Sequence, residues 1–407
     1  MRNLIFAATI LVPAAAHAGG YVIPNANPRD LALAQAAVAD QTGAEALFLN
    51  VAALAGQLGV NISAAGELLI NRTDWSDPDL GKASMDPQIN TPPSFAVSYG
   101  AKLDNDMAWG IAVGMNVPAG GSLKWPTGWA GQEAIQSVKQ LVFAIGGGAA
   151  FQPLPFVKLG VNYVRFQATE ELHQSLNYLD HYGDAGLAMS GGANGWGAGL
   201  EVRVPTVPLS FGVSYSHSAE LALEGTAHFT NVPVPFQPMI HDQGVTEKLT
   251  IPNVLFVGAA YEVMPNLKVM AAYNFERWST YESDKFVGAD GFKVEVPRNY
   301  NNAHVIRGAA EWQNLPFLPA LTGRLGLLRS ISNQPTDTVS PSLTDGSSWA
   351  LSVGAGFNVM PTLRIDLGYQ HAFFDKVTAD PDSEAFQGSY QTTVDLISLG
   401  VNWRIGV

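Results

Sequence analysis

The chain has 407 residues, a formal charge of −13 and no cysteine; 47% of it is hydrophobic and 14% charged, with the apolar residues dispersed in twos and threes. An acidic balance without a basic cluster excludes nucleic acid as a partner. No stretch approaches the roughly 20 continuous apolar residues of a membrane-spanning helix, so a helical bundle is excluded, and without cysteine there is no disulfide framework.

At the start, Arg2, the apolar run Leu4 to Val12, Pro13 and the pattern Ala16-His17-Ala18 have the form of a secretory signal peptide, residues 1–18, cleaved before Gly19. Residues 19–56 do not alternate and are rich in Ala, Leu and Asn. They are read as a plug, with a short helix from Asp30 to Ala39 capped by Asp30. Residues 57–407 divide into long strands. Tight turns are expected at Asp104-Asn105-Asp106, Gln152 to Pro155, Pro205 to Pro208, Met264-Pro265-Asn266, Leu315 to Leu321 and Met360-Pro361-Thr362. Longer connections are expected at Thr73 to Asn90, Gly120 to Gln136, Leu172 to Gly192, Asn231 to Gly244, Asp284 to Asn299, Gln334 to Ser347 and Ala379 to Ser389.

The strands carry a period of two. Leu363, Ile365, Leu367, Tyr369 and Phe373 share one parity against Arg364, Asp366, Gly368 and Gln370, and Ile397, Leu399, Val401, Trp403 and Ile405 repeat the pattern. Alternation is poor from Thr206 to Thr230 and from Gly323 to Arg329. Short turns on one side, long loops on the other and one apolar face per strand predict an all-β fold, a transmembrane antiparallel barrel of about 14 strands. A closed barrel satisfies every edge, which an open sheet in lipid cannot do. Trp109, Trp278, Trp312, Trp349, Tyr281 and Trp403 are expected to form its interfacial girdles.

Catalytic and metal motifs are missing. There is no Gly-x-Ser-x-Gly elbow, zinc-protease motif or phosphate-binding glycine loop, and His173-Gln174-Ser175 lacks a third member, so neither catalysis nor a cofactor is expected. The loop containing Leu123, Trp125, Trp129 and Ile135 is unusually apolar. Either it forms a groove that captures a hydrophobic molecule or its rings pack between loops. Inward-parity charges at Lys158, Lys268, Glu276, Arg364, Asp366 and Arg404 either pair with one another and with plug residues such as Asp40 and Glu45, or line a water-filled pore.

Several stretches resemble the FadL-type outer-membrane transporters of long-chain fatty acids and their aromatic-hydrocarbon relatives. They are Gly19-Gly20-Tyr21, Leu33 to Asp40, Asn50-Val51-Ala52-Ala53-Leu54, Trp109 to Val113 leading to Pro118, Gly128 to Gln132, Leu249 to Asn253 and Pro341 to Gly346. Val51 stands where that family has the proline of an Asn-Pro-Ala signature at Asn50, Val51 and Ala52. The resemblance implies a bacterial outer-membrane channel for passive uptake of hydrophobic molecules, with loop capture, an inner pocket beside the plug and lateral release at a kinked third strand. That strand is placed at about Met107 to Pro118, with Gly110 and Gly114 on one parity as candidates for the opening. Implied partners are a fatty acid or aromatic hydrocarbon, outer-membrane lipids and the barrel-assembly machinery, for which Trp403 is the aromatic near the end. The alternatives left open are a porin for small polar solutes and a surface adhesin or receptor.

Overall fold

The computed structural model describes residue 23 and residues 27–383 and 386–406. The expected signal peptide and most of residues 19–26 lie outside the described residues.

Fourteen strands close into one antiparallel barrel. They are β1 Gly59–Asp77, β2 Pro93–Lys102, β3 Ala108–Lys124, β4 Ser137–Leu154, β5 Val157–Asn177, β6 Tyr182–Arg203, β7 Leu209–Ser216 continued by Ala219–Thr230, β8 Gln243–Ile251 continued by Val254–Met264, β9 Leu267–Glu276, β10 Ala303–Trp312, β11 Leu321–Ile331, β12 Ser348–Met360, β13 Leu363–Phe374 and β14 Ser389–Ile405. The first and last strands pair from Val60 opposite Ile405 to Ser76 opposite Ser389, which removes both edges.

Along β13, Ile365, Leu367, Tyr369 and Phe373 point outward and exposed, while Asp366 and Gln370 are buried in the lumen. Period-two patterning thus faces apolar side chains to lipid and polar ones inward. Trp312, Trp349 and Trp403 lie on the outer face, but Trp278 and Tyr281 do not belong to the girdle. They are buried beneath the long loops, where Trp278 Nε1 donates to Glu276 Oε2 at 2.9 Å.

Tight turns fall at the expected turn residues, except that the one expected at Gln152 to Pro155 falls at Pro155-Phe156, with Gln152 to Leu154 still in strand. The loop expected from Leu172 to Gly192 is instead strand: β5 and β6 pair as far as Asn177 opposite Tyr182. Beyond the bilayer the outer face of a strand meets water, so exposed Glu171 and His173 alternate with buried Glu170 and Leu172. Such polar alternation resembles a loop when hydrophobicity alone is read.

Inside the barrel lies the plug: helix α1 Pro28–Ala32, helix α2 Ala46–Leu49 and a 3-10 turn at Val51–Gly56. The first helix is shorter than expected and its cap is Asn27, whose Oδ1 accepts from the backbone N–H of Arg29 and Asp30. Pro28 suits the first helical position, and the positive φ of Ala34 (48°) and Gln35 (59°) ends the helix before Ala39. Plug and wall meet backbone to backbone through inward glycines. A Cβ on Gly110 of β3 would stand 2.2 Å from Leu54 O, and one on Gly326 of β11 would stand 2.7 Å from Ala34 N. Gly160, Gly212, Gly354 and Gly368 make similar approaches on other strands, so the glycines form a socket shaped to the plug.

Candidate functional site

Buried charge anchors the plug. Arg29 Nε lies 2.9 Å from Glu311 Oε2 on β10, and its Nη2 lies 2.9 Å from Asp40 Oδ2. Asp40 also receives Lys268 Nζ of β9 at 2.7 Å. Arg324 joins Glu311 (2.7 Å) to Asp366 (2.8 Å), which Arg364 contacts at 2.9 Å. Every carboxylate in this chain of contacts has a cation, as burial demands. The inward charges Lys268, Arg364 and Asp366 therefore pair, and Lys158 pairs with Glu201 at 2.7 Å. Arg29, Glu311 and Arg324 were not singled out by sequence; their signal is inward parity on β10 and β11 and position beside Pro28 in the plug.

Glu45 does not take a cation. It accepts from Ser94 Oγ at 2.6 Å and from Asn27 Nδ2. Burial pushes its carboxyl up to about 7, opposed by the Ser94 hydrogen bond and reinforced by the negative charge of Asp30.

Asn50, Val51 and Ala52 form the bend that follows. Asn50 Nδ2 donates to Val38 O (2.7 Å) and Leu200 O (3.2 Å), and its Oδ1 accepts from Ala52 N (3.2 Å). One side chain thus ties two parts of the plug to β6.

Above the plug is a cavity of about 230 Å³ with a mostly apolar lining that includes Ile23, Phe48, Val164, Phe166, Phe256 and Phe374. Its polar groups include Glu276, Arg307 and Gln370. Arg307 donates to Asn274 Oδ1 and Ala34 O, each at 2.9 Å, and its guanidinium lies 5.5 Å from the Phe256 ring centroid. Glu276 is occupied by Asn274 Nδ2 at 2.7 Å and Trp278 Nε1.

The third strand borders this cavity. Gly110 and Gly114 sit in unbroken ladders, opposite Gly100 and Ala96 on β2 and Ala150 and Gly146 on β4. Gly110 serves the plug contact. The interruption falls beyond them: pairing with β4 slips between Asn116 and Ala119, and pairing with β2 stops at Met115 opposite Phe95. Pro118, which lacks an N–H, offers its carbonyl to Ile23 N at 2.8 Å, so the strand bends inward onto the plug.

Leu123, Trp125, Trp129 and Ile135 are all buried and none lines the cavity. Trp125 stacks on Trp129 at 4.4 Å, with Trp75 and Phe386 against Trp129 at 5.6 and 5.4 Å. Trp125 Nε1 donates to Pro341 O at 3.1 Å. Their geometry is that of rings joining separate loops, since an apolar loop segment lowers its free energy by covering itself where neighbouring loops are within reach. Among the described residues no group of three or more His, Asp or Glu is arranged to hold a metal.

The sequence profile described as outer membrane protein transport protein (OMPP1/FadL/TodX) matches residues 9–405. No curated protein matches in sequence. Among solved structures, a Pseudomonas aeruginosa FadL homologue superposes with a TM-score of 0.83 at 16% identity, covering 96% of this chain and 100% of that one. The monoaromatic hydrocarbon channel CymD gives 0.72 at 15%, covering 97% and 100%. The P. putida toluene transporter TodX gives 0.71 at 14%, covering 92% and 98%. At these identities the superpositions speak to fold.

Proposed function

The chain belongs to the OMPP1/FadL/TodX family of outer-membrane transport proteins, and we propose that its cargo is a long-chain fatty acid, moved passively through the cavity above the plug. The observation that carries this reading is Arg307, a buried guanidinium at the edge of an apolar cavity whose hydrogen bonds go to neutral oxygens. The neighbouring carboxylate, Glu276, is hydrogen-bonded to Asn274 and Trp278 instead, so a cargo carboxylate there supplies the charged acceptor that Arg307 lacks, while the acyl chain lies against the phenylalanines and contributes about 0.8 kcal/mol per buried CH₂. An uncharged hydrocarbon offers Arg307 no charged oxygen, at most a ring face worth less than a charge-assisted hydrogen bond. The break in β3 beside Pro118 gives the cavity a side exit, so the chain need not cross the polar plug.

The test is Arg307→Met in cells taking up labelled palmitate, with toluene and a labelled sugar alongside. A charge-assisted hydrogen bond is worth roughly 1.5–3 kcal/mol, so palmitate affinity is expected to fall at least about tenfold with toluene unchanged. Equal loss for both removes the carboxylate role and favours an aromatic hydrocarbon as cargo. Protein-dependent entry of the sugar favours an open porin.

A further inference from the structure

Two further strands break at the same cavity. In β7 the inward residues are Ser210 and Ser214 below His217 but Ala219, Leu221 and Leu223 above it, so the parity flips at His217-Ser218. In β8 the flip falls at Pro252-Asn253, between inward Glu247 and Leu249 and inward Ala260. The two strands stay in register across the break, with Ser216 opposite Val254 and Ala219 opposite Ile251. β6 does not follow. Its pairing with β7 ends at Gly197 opposite Ser216 and resumes at Gly192 opposite Ala222. Across Ala193 to Trp196, His217 N donates to Trp196 O at 2.9 Å, and no strand ladder to β7 runs through this stretch among the described residues. That span is about 10 Å of wall at roughly 3.3 Å per residue.

The interruption joins inside to outside. Ser216, His217, Ile251, Pro252 and Val254 all line the apolar cavity. On the outer face His217 stacks on half-exposed Trp196 at 5.1 Å and accepts or donates at Tyr215 OH, 3.0 Å, to which Asn253 Nδ2 also donates at 2.6 Å. A single imidazole thus stands between cavity and lipid, held by side-chain contacts. Pro252 has no N–H to lose, so swinging this cover aside breaks few ladder bonds. Trp196 and Tyr215 are the ring types that settle at a bilayer interface.

We propose that the His217-Ser218 and Pro252-Asn253 breaks form a second lateral portal, through which hydrophobic molecules pass between the cavity and the surrounding leaflet. It is separate from the β3 interruption and rests on the reading that the cavity holds hydrophobic cargo. His217 is the shutter, and Trp196, Tyr215 and Asn253 are its latch.

Because the chain has no cysteine, a disulfide can be placed cleanly. Asn194→Cys with Glu220→Cys puts thiols on exposed outer-face positions across the unpaired stretch, and closing them pulls β6 onto β7. In proteoliposomes, oxidation is expected to slow palmitate transfer at least twofold, with full recovery on reduction; the reduced form is its own folding control. In parallel, palmitate carrying a diazirine at its tail is photolysed in the wild-type protein and the labelled peptides mapped. Because Ser216 and His217 line the cavity, label at Tyr215 to Leu221 together with outer-face Trp196, lost from Trp196 on closing the disulfide while label at Asn116 to Gly121 persists, supports the portal. Label absent from Trp196, or transfer unaffected by the disulfide, overturns it. Where the wild type moves no palmitate the fatty-acid reading fails by itself, and the label alone decides the portal, its absence from Trp196 overturning it.

Discussion

Glu45 makes the seating of the plug depend on pH. In the plugged state its carboxyl titrates at about 7, against an ordinary value of 4.5; in a plug released into water it returns to that ordinary value. A group raised in the seated state contributes its full stability below about 4.5 and loses it as pH rises through about 7. The difference of about 2.5 in pKa corresponds to about 3.4 kcal/mol. Since about 1.4 kcal/mol of this is already lost by pH 5.5, about 2 kcal/mol remains between pH 5.5 and 8.5, a roughly thirtyfold change in the released population. Planar-bilayer conductance reads this directly, because a released plug leaves an open lumen. Plug-release events should be rare at pH 5.5 and about thirty times more frequent at 8.5. Glu45→Gln keeps an uncharged group at Ser94 and Asn27 and should hold the frequency near its low-pH value throughout. A wild type indifferent to pH, or a Gln variant that keeps the dependence, would refute the assignment.

Gly110→Val should unseat the plug at any pH, since its first side-chain carbon meets Leu54 O at 2.2 Å; continuous conductance with an intact heat-modifiable barrel on gels is the expected signature. Trp125→Ala with Trp129→Ala should loosen the extracellular loops instead of emptying a capture groove, because buried Trp→Ala typically costs about 3–5 kcal/mol. Protease added to intact cells should then cut residues 125–136 at least tenfold faster. Val51→Pro should be tolerated: Asn50 already has the extended φ/ψ of −146° and 94° that precedes proline, and Val51 is the first residue of its 3-10 turn. Urea denaturation should find the plug unchanged or more stable by about 0.4–1 kcal/mol.

Barrel class, strand number and most turns were legible because one face of each strand meets lipid and the other meets polar atoms; β13 and β14 display this without interruption. Alternation failed between Thr206 and Thr230 for a physical reason: the parity inverts at His217-Ser218, so no single phase fits. The extensions of β5 and β6 were missed because they stand in water. The candidate site was less legible. Sequence showed Trp125 and Trp129 to be apolar but not which way they face, and only the fold brings Trp75, Phe386 and Pro341 to them. Lys268 and Asp40 were both named as charges needing partners, yet Arg29 and Glu311 meet across 282 residues, a separation no local pattern reports. Gly110 and Gly114 were recognised as places where a side chain is missing; at Gly110 the vacancy is filled by the plug, and the bend falls at Pro118, where an N–H is missing.

The seam between β1 and β14 has a consequence for biogenesis. Pro28 of α1 packs against Gly368 and Gly400, the second of which lies on the final strand. The plug is synthesised first, but the last part of its socket is synthesised almost last. Until Ser389–Ile405 zips onto β1 the socket lacks the wall that Gly400 supplies, so the plug gains its full set of contacts only as the seam closes. Completion of the barrel therefore also completes the socket, and a chain stalled before β14 offers its plug an incomplete cradle open along one side.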